Sequence, residues 1–155
     1  MIIRIRNNQR GKSLALARFR IRLAKLLRSS GLPDSELSVL FTGDRTMRSL
    51  NRTWRNIDRT TDVLSFSQRE GRFSGIRPEL LGDIVISVPQ AYRQAREAGH
   101  TLTREIELLL VHGLLHLLGY DHERGPAEAV KMRRREREFL TMIGASDSKR
   151  ALGRR

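Results

Sequence analysis

Three of the four histidines in this chain lie within eleven residues of one another. His112 and His116 are four residues apart, so on a helix they project from the same face about one turn from each other. Gly119 can adopt the backbone conformation that ends such a helix, and His122 follows three residues later. The spacing predicts three imidazole nitrogens around one point, which is the donor set of a catalytic zinc site with its fourth position left for water.

Zinc peptidases of the metzincin class have the same ligand spacing, in the pattern H-E-x-x-H-x-x-G-x-x-H. His112, His116, Gly119 and His122 occupy the corresponding positions without a shift. Gly113 stands where the peptidases carry the glutamate that acts as general base for the zinc-bound water. The sequence therefore predicts one Zn²⁺ per chain in a site that performs chemistry other than peptide hydrolysis. Nickel, which imidazole also binds, is the alternative metal.

A buried helix that carries histidines only for packing is the alternative interpretation of this stretch. Leucines and a valine surround His112 and His116, so the helix is apolar nearly all round. Buried polar groups need partners, and one shared metal ion would satisfy three imidazoles together. We therefore favour the metal site.

The run from His112 to His122, HGLLHLLGYDH, resembles the signature of the YbeY family, bacterial zinc-dependent endoribonucleases of ribosomal RNA maturation. Two further blocks resemble the family. Residues 50–55 followed by 60–66 match its LNxxYR…TDVLSF pattern, with Trp54 in place of the usual tyrosine, and residues 81–87 match its LGDIxIS strand. The resemblance extends from about residue 35 to residue 143.

This resemblance implies an α+β fold in which a small mixed β-sheet packs around a central metal-bearing helix. It implies a zinc-dependent endoribonuclease that cuts single-stranded RNA in ribosomal RNA maturation and ribosome quality control, with ribosomal RNA and the ribosome as partners. Arg55 matches the arginine that the family uses at its active site. A guanidinium can bind two phosphate oxygens at once, so Arg55 is the expected catalytic cation.

The residue that would replace the missing base stays open at this stage. Asp121, next to His122, is the nearest carboxylate in sequence and is our candidate, either as the base or as an acceptor that fixes a histidine tautomer. Asp83, at the head of a predicted strand, is another candidate for such an acceptor, although we expect Asp83 or Asp62 simply to hold the end of a strand. A zinc-activated water can also react without a side-chain base.

The elements that position these residues follow from hydrophobic periodicity. Alternation predicts a first strand over 1–6, and Ser13 is expected to cap the helix that follows it. Further strands are predicted over 36–42, 62–66 and 81–88, and further helices over 44–54, 89–98, from Thr101 or Thr103 through the histidines, and from Pro126. This order predicts an α+β fold. We expect one metal-dependent hydrolase domain over residues 1–145 and a basic, disordered tail over 146–155.

The composition bounds the partners and the compartment. The 155 residues suffice for one domain with its own core. The 30 Lys and Arg residues against 17 Asp and Glu residues, a net charge of +13, predict a polyanionic partner. An arginine-rich genome is the alternative source of this excess. No cysteine, signal peptide or membrane span is evident, so we expect a cytoplasmic protein without a membrane partner.

Two other functions fit parts of the sequence. A metallopeptidase-like hydrolase would explain the histidine spacing, but it would lack its general base at Gly113. A non-catalytic assembly factor would bind ribosomal RNA through its basic surface and use zinc structurally. Structural zinc sites usually have four protein ligands, and the sequence offers three.

Overall fold

The computed structural model describes residues 1–69 and 75–153, with side chains as far as Gly144. Its elements in chain order are β1 (Ile2–Asn7), α1 (Leu16–Ser29), β2 (Glu36–Thr42), α2 (Asp44–Arg55), β3 (Val63–Ser67), β4 (Leu80–Ser87), α3 (Val88–Ala98), α4 (Leu102–Leu117), a 3₁₀ turn (His122–Arg124) and α5 (Pro126–Gly153). Residues from 145 onward lie outside the described side chains, so the predicted tail over 146–155 and the domain boundary before it stay predictions. None of the described helices is both long and apolar enough to cross a membrane.

The strands form one mixed sheet in the order β1-β2-β4-β3. β1, β2 and β4 are parallel, and β3 runs antiparallel to β4. The predicted α+β fold with a small mixed sheet is therefore confirmed. β1 and β3 form the two edges of the described sheet. On the outer edge of β1, the carbonyl of Ile3 accepts a hydrogen bond from the guanidinium of Arg20 in α1.

The two faces of the sheet bury apolar clusters of different extent, a large one and a small one. One face packs under α1, α4 and α5, and its core includes side chains that are less than 2 % exposed: Phe19, Leu23, Phe41, Ile84, Ile86, Ile106 and Phe139. The other face is covered at β3 and β4 by α2, through Met47, Leu64 and Val85. Burying one such side chain stabilises the fold by roughly 1.5–3 kcal/mol. The predicted central helix is α4, which is buried along most of its length.

Helix α4 is fixed at its start and along its side by polar contacts. The hydroxyl of Thr101 accepts a hydrogen bond from the backbone N–H of Arg104 at 3.1 Å, which confirms Thr101 rather than Thr103 as the cap. The carboxylate of Glu107 is only 1 % exposed and forms ion pairs with Arg18, at 3.1 Å, and Arg22 of α1. A buried carboxylate is tolerated when charged donors surround it, so this cluster fixes α4 against α1.

The prediction that Ser13 caps the first helix was wrong. Helix α1 begins at Leu16, and Ala15 precedes it without a side-chain hydrogen bond to the helix. Leu14, Ala15 and Leu16 all pack against the main core. Apolar packing, and not a capping hydroxyl, therefore determines where α1 starts.

A bulge in β4 brings that strand very close to β3. Glu36 of β2 pairs with Leu80, whereas Leu37 pairs with Gly82, so β4 has one extra residue at this point. Gly82 has a φ of +139°, which side chains with a Cβ rarely adopt. A Cβ there would overlap the backbone carbonyl of Phe66.

Replacing Gly82 by alanine should therefore lower the free energy of unfolding by about 3 kcal/mol or more, because backbone strain and backbone overlap add. Gly99→Ala is the matched control, since Gly99 also has a positive φ, +72°, but nothing lies within 4 Å of its Cβ position. We expect the control to cost about 1–2 kcal/mol. Guanidinium denaturation of both variants measures the difference, and equal losses would contradict the overlap.

Candidate metal centre

The structure brings the three predicted ligands together. His112 and His116 lie in the last two turns of α4, and their Nε2 atoms are 3.1 Å apart. One ring nitrogen from each of His112, His116 and His122 lies within 4.8 Å of the others. Two nitrogens bound to one tetrahedral zinc ion at 2.0–2.1 Å would be roughly 3.3 Å apart, close to the spacing on the helix. The donor set therefore fits a metal ion.

A tight turn after α4 returns His122 to the other two histidines. Gly119 has a φ of +99°, and its backbone N–H donates to the carbonyl of His116 at 3.1 Å. The N–H of Tyr120 donates to the carbonyl of Leu115 at 3.0 Å. This hydrogen-bond pair is a Schellman motif, which ends a helix and reverses the chain. The predicted role of Gly119 as the end of the helix is confirmed.

Asp121 holds the 3₁₀ turn that carries His122. Its Oδ1 accepts a hydrogen bond from the backbone N–H of Glu123 at 2.9 Å. Its Oδ2 lies 3.5 Å from Nε of Arg124. Both carboxylate oxygens thus have partners within the turn, which supports a positioning role for this residue. A direct catalytic role for Asp121 stays a prediction.

The environment of the helical histidines favours their neutral form. Burial lowers the pKa of His112, and the neighbouring His122 lowers it further, while Asp62 opposes the shift. Burial also lowers the pKa of His116, together with the charges of His112 and His122. Neutral imidazole is the form that binds a metal, so this environment prepares the ligands at neutral pH.

The histidines open into a polar cleft of about 460 Å³ between α4, β3 and the end of α2. Arg55, the last residue of α2, lines this cleft and is exposed. Its guanidinium makes no ion pair with a carboxylate in the part of the chain that the structure describes. The predicted arginine is therefore brought to the histidines with its charge available to a ligand.

The other two candidate carboxylates have structural partners or lie elsewhere. Asp62 lines the cleft, but its Oδ1 accepts from the N–H of Val63 at 2.7 Å and its Oδ2 from Nε2 of Gln94 at 3.2 Å. Gln94 also donates to Glu105 at 3.0 Å. Asp62 therefore holds the start of β3. Asp83 lies within β4, and burial raises its pKa.

Gly113 packs against the sheet, which explains why no glutamate is present there. A Cβ at this position would lie 2.9 Å from Cγ2 of Ile84 and 3.2 Å from Oγ of Ser65. The hydroxyl of Ser65 also donates to the carbonyl of Gly113 at 3.1 Å. Ile84 is fully buried in a close-packed core, so moving its side chain aside would cost free energy. A side chain at residue 113 would enter the sheet.

Several residues of the cleft were missed by the sequence reasoning. The hydroxyl residues Thr61, Ser65 and Ser67 line it. Ser65 and Ser67 alternate along β3, which places them on one face of the strand and could have identified them, whereas Thr61 precedes the strand. Burial raises the pKa of Glu136 in α5. The charge of His122 partly opposes this shift, so the two side chains lie close enough to interact electrostatically. No local pattern relates Glu136 to the histidines.

Replacing Gly113 by alanine should destabilise the protein by about 1–3 kcal/mol, because the added methyl group overpacks the contact with Ile84. Ile84→Ala removes the atoms that a new Cβ would meet. The double variant should therefore lose less unfolding free energy than the two single variants lose together, by at least about 0.5 kcal/mol. Chemical denaturation of the four proteins measures this coupling. Strictly additive losses would show that residue 113 does not press on Ile84.

Acid should destabilise the metal-free protein through the helical histidines. Their pKa values in the fold lie below the ordinary histidine value of about 6.5. The stability this contributes is fully present above about pH 6.5 and is lost as pH falls toward the lowered pKa values. The unfolding free energy of chelator-treated protein should therefore fall between about pH 7 and about pH 5. The double variant His112→Gln/His116→Gln should show a flatter curve, and parallel curves would contradict the assignment.

Comparison with known proteins gives the family. Residues 4–144 match the family model described as Endoribonuclease YbeY. Relatives named Endoribonuclease YbeY include one from Geobacter metallireducens, 43 % identical over 92 % of this chain and 96 % of its own. Another, from an Anaeromyxobacter species, is 50 % identical over 87 % of this chain and 68 % of its own. The solution structure of TM1509 from Thermotoga maritima matches 96 % of this chain and 93 % of its own with a TM-score of 0.65, and at 24 % identity it supports the fold alone. The family match and the identities agree with the histidine motif, and the chain belongs to the YbeY endoribonuclease family.

Proposed function

We propose that this protein hydrolyses phosphodiester bonds of single-stranded RNA in its polar cleft, with one Zn²⁺ held by His112, His116 and His122. As a member of its family, it is an endoribonuclease and hence a hydrolase. The observation that carries the proposed site is the convergence, in a single cleft, of three imidazoles, two of them with lowered pKa values, and of Arg55, which forms no ion pair with a described residue. The net charge of +13 suits a polyanionic substrate.

Phosphodiester hydrolysis needs an activated water and neutralisation of the charge that develops on the phosphoryl oxygens. A bound divalent cation supplies Lewis acidity and lowers the pKa of a water molecule. Arg55 contributes a guanidinium, which binds two non-bridging oxygens and orients the phosphate against the histidines. The hydroxyls of Thr61, Ser65 and Ser67 provide further polar groups along the wall of the cleft.

We assign Asp121 to positioning and not to proton abstraction. Its two oxygens already bind the backbone of Glu123 and the side chain of Arg124. Removing it would free the turn that carries His122, so its loss should weaken metal binding before it affects the chemical step.

Zinc is the proposed metal because three nitrogen donors with room for a further ligand are typical of catalytic zinc sites. Nickel is the competitor, since imidazole accepts it as well. Metal analysis of the purified protein distinguishes the two. His116→Ala should lose the metal, whereas His100→Gln should keep it, because His100 is bonded to Glu105 and stands outside the cluster.

Ribosomal RNA in the cytoplasm is the proposed substrate, with the ribosome as the partner. The resemblance to a family of ribosomal RNA maturation supports this, as do the basic composition and the absence of cysteines. A peptidase is disfavoured because the packing of Gly113 leaves no room for its general base. A non-catalytic factor with structural zinc would need a fourth protein ligand, and the described residues bring three together.

A zinc-loaded preparation should cleave a labelled single-stranded RNA, and a chelator should abolish the cleavage. His116→Ala should be inactive, because the metal loses a ligand. Arg55→Ala should lower kcat by about 10²–10³-fold, the usual cost of removing one donor that stabilises developing charge. His116→Ala, purified identically, is also the control for contaminating nucleases, and His100→Gln is the matched variant that should keep the wild-type activity. Cleavage by His116→Ala at the wild-type rate would show that the activity does not belong to this site.

A further inference from the structure

Four arginines form a row along one face of α2. Arg45, Arg48, Arg52 and Arg55 follow one another at intervals of three or four residues. At 3.6 residues per turn, their side chains fall within an arc of about 80°. All four are exposed, while Met47 and Asn51, on the adjacent face of the helix, are buried. We call these four residues the arginine stripe.

The stripe has more positive charge than nearby carboxylates neutralise. Asp58 is the acid paired with it among the described residues. Its oxygens lie 2.9 and 3.3 Å from nitrogens of Arg48 and 4.0 Å from Nη1 of Arg52. Arg45 and Arg55 form no ion pair with a described residue. Like charges three or four residues apart on a helix repel each other, so this arrangement costs stability unless an anion binds it.

The stripe continues directly from the proposed active site. Arg55, at one end, lines the cleft that contains the histidines. Arg45 and Arg48, at the other end, line a second depression of about 550 Å³ together with Arg59 and Thr60. Thr61, the next residue, belongs to the cleft, so the two depressions adjoin along one segment of chain.

The two carboxylates of the second depression are both neutralised. Asp58 pairs with Arg48, as described above. Asp44 lies 2.9 Å from Arg93 of α3 and also accepts a hydrogen bond from Ser87 at 2.8 Å. The surface from the cleft to Arg45 therefore keeps a positive excess along its whole length.

We propose that the arginine stripe binds the phosphate backbone of single-stranded RNA on one side of the bond that is cut. The proposal rests on the proposed function, since it takes the reacting phosphate to lie beside Arg55. From Arg45 to Arg55 the helix rises roughly 15 Å, which is long enough to contact more than one phosphate of a single strand. Arginine suits this role because its planar group binds phosphate at two points.

Phosphate contacts of this kind carry no base information. The stripe therefore selects substrates by length and flexibility rather than by sequence. An RNA that extends beyond the cleft gains affinity along α2, whereas a dinucleotide gains none. The site consequently acts on internal bonds of a strand more readily than on very short fragments.

The test compares two triple variants that remove the same charge. Arg45→Gln/Arg48→Gln/Arg52→Gln disables the stripe and leaves Arg55 in place. Arg133→Gln/Arg134→Gln/Arg137→Gln changes three exposed arginines of α5 as the control. The binding constant of a labelled single-stranded oligonucleotide is measured over a range of salt concentrations with metal-free protein, so that no cleavage occurs. Circular dichroism checks that both variants fold.

Losing three phosphate contacts should reduce the slope of log K against log salt by about 2. The control triple should keep the wild-type slope. With zinc-loaded protein, the stripe variant should show a raised KM for long RNA, an unchanged kcat and unchanged cleavage of a dinucleotide. An unchanged slope in the stripe variant, or the same reduction in both triples, would overturn the proposal.

The same experiment separates this proposal from the function on which it rests. If wild-type protein cleaves RNA but the stripe variant keeps the wild-type salt dependence of binding and the wild-type KM, the proposed role of the stripe is wrong and the proposed nuclease activity is supported. If wild-type protein cleaves no RNA, but the stripe variant alone shows a reduced salt dependence of binding, the proposed nuclease activity is wrong and the stripe is supported as an RNA-binding surface.

Discussion

At Gly113 the backbone of α4 lies directly on the side chain of Ile84 in β4, because the helix has no side chain at this position. Ser65 of β3 adds a hydrogen bond to the same turn of the helix. This contact sets the distance between α4 and the edge strand, and hence the width of the groove into which His112 and His116 project. It also removes the glutamate position of the peptidases. One steric constraint thus both places the helix that carries two candidate metal ligands and excludes a peptidase-type glutamate at residue 113.

The three histidines depend on elements of different rigidity. His112 and His116 share a helix that Glu107 ties to α1 through Arg18 and Arg22. His122 is exposed and belongs to a three-residue turn held by the carboxylate of Asp121. The helical pair therefore provides two of the three donors from a helix anchored in the core, and an exposed turn provides the third. Such a division lets a metal ion order the turn without deforming the core.

Local signals explain which features the sequence could predict. The histidines, Gly119 and Thr101 lie within one short stretch, so the geometry of one helix, its cap and the glycine turn that ends it accounts for their placement. Arg55 is far away in sequence, and only the family resemblance identified it, because the packing of α2 beside β3 leaves no local pattern. Glu136 is likewise far from the histidines in sequence, and no sequence pattern identified it. The alternating hydroxyls of β3 and the regular arginines of α2 were present as patterns, but their significance depends on the cleft they adjoin. The prediction that Ser13 caps α1 was wrong because tertiary packing, which a capping rule does not consider, determines where α1 starts.

The two edges of the described sheet bear on how copies of this protein behave toward one another. An open edge strand can add a strand from another molecule, which leads to aggregation. On β1 the guanidinium of Arg20 already donates a hydrogen bond to the outward carbonyl of Ile3, and Arg6 adds a positive charge on the same edge strand. β3 is only five residues long and lies beside the cleft that Arg55 lines. Mutual repulsion between strongly basic molecules keeps these edges apart at low ionic strength, and salt weakens it within a Debye length of about 10 Å at 0.1 M. The arginine content suited to a polyanion therefore also protects the sheet against self-association.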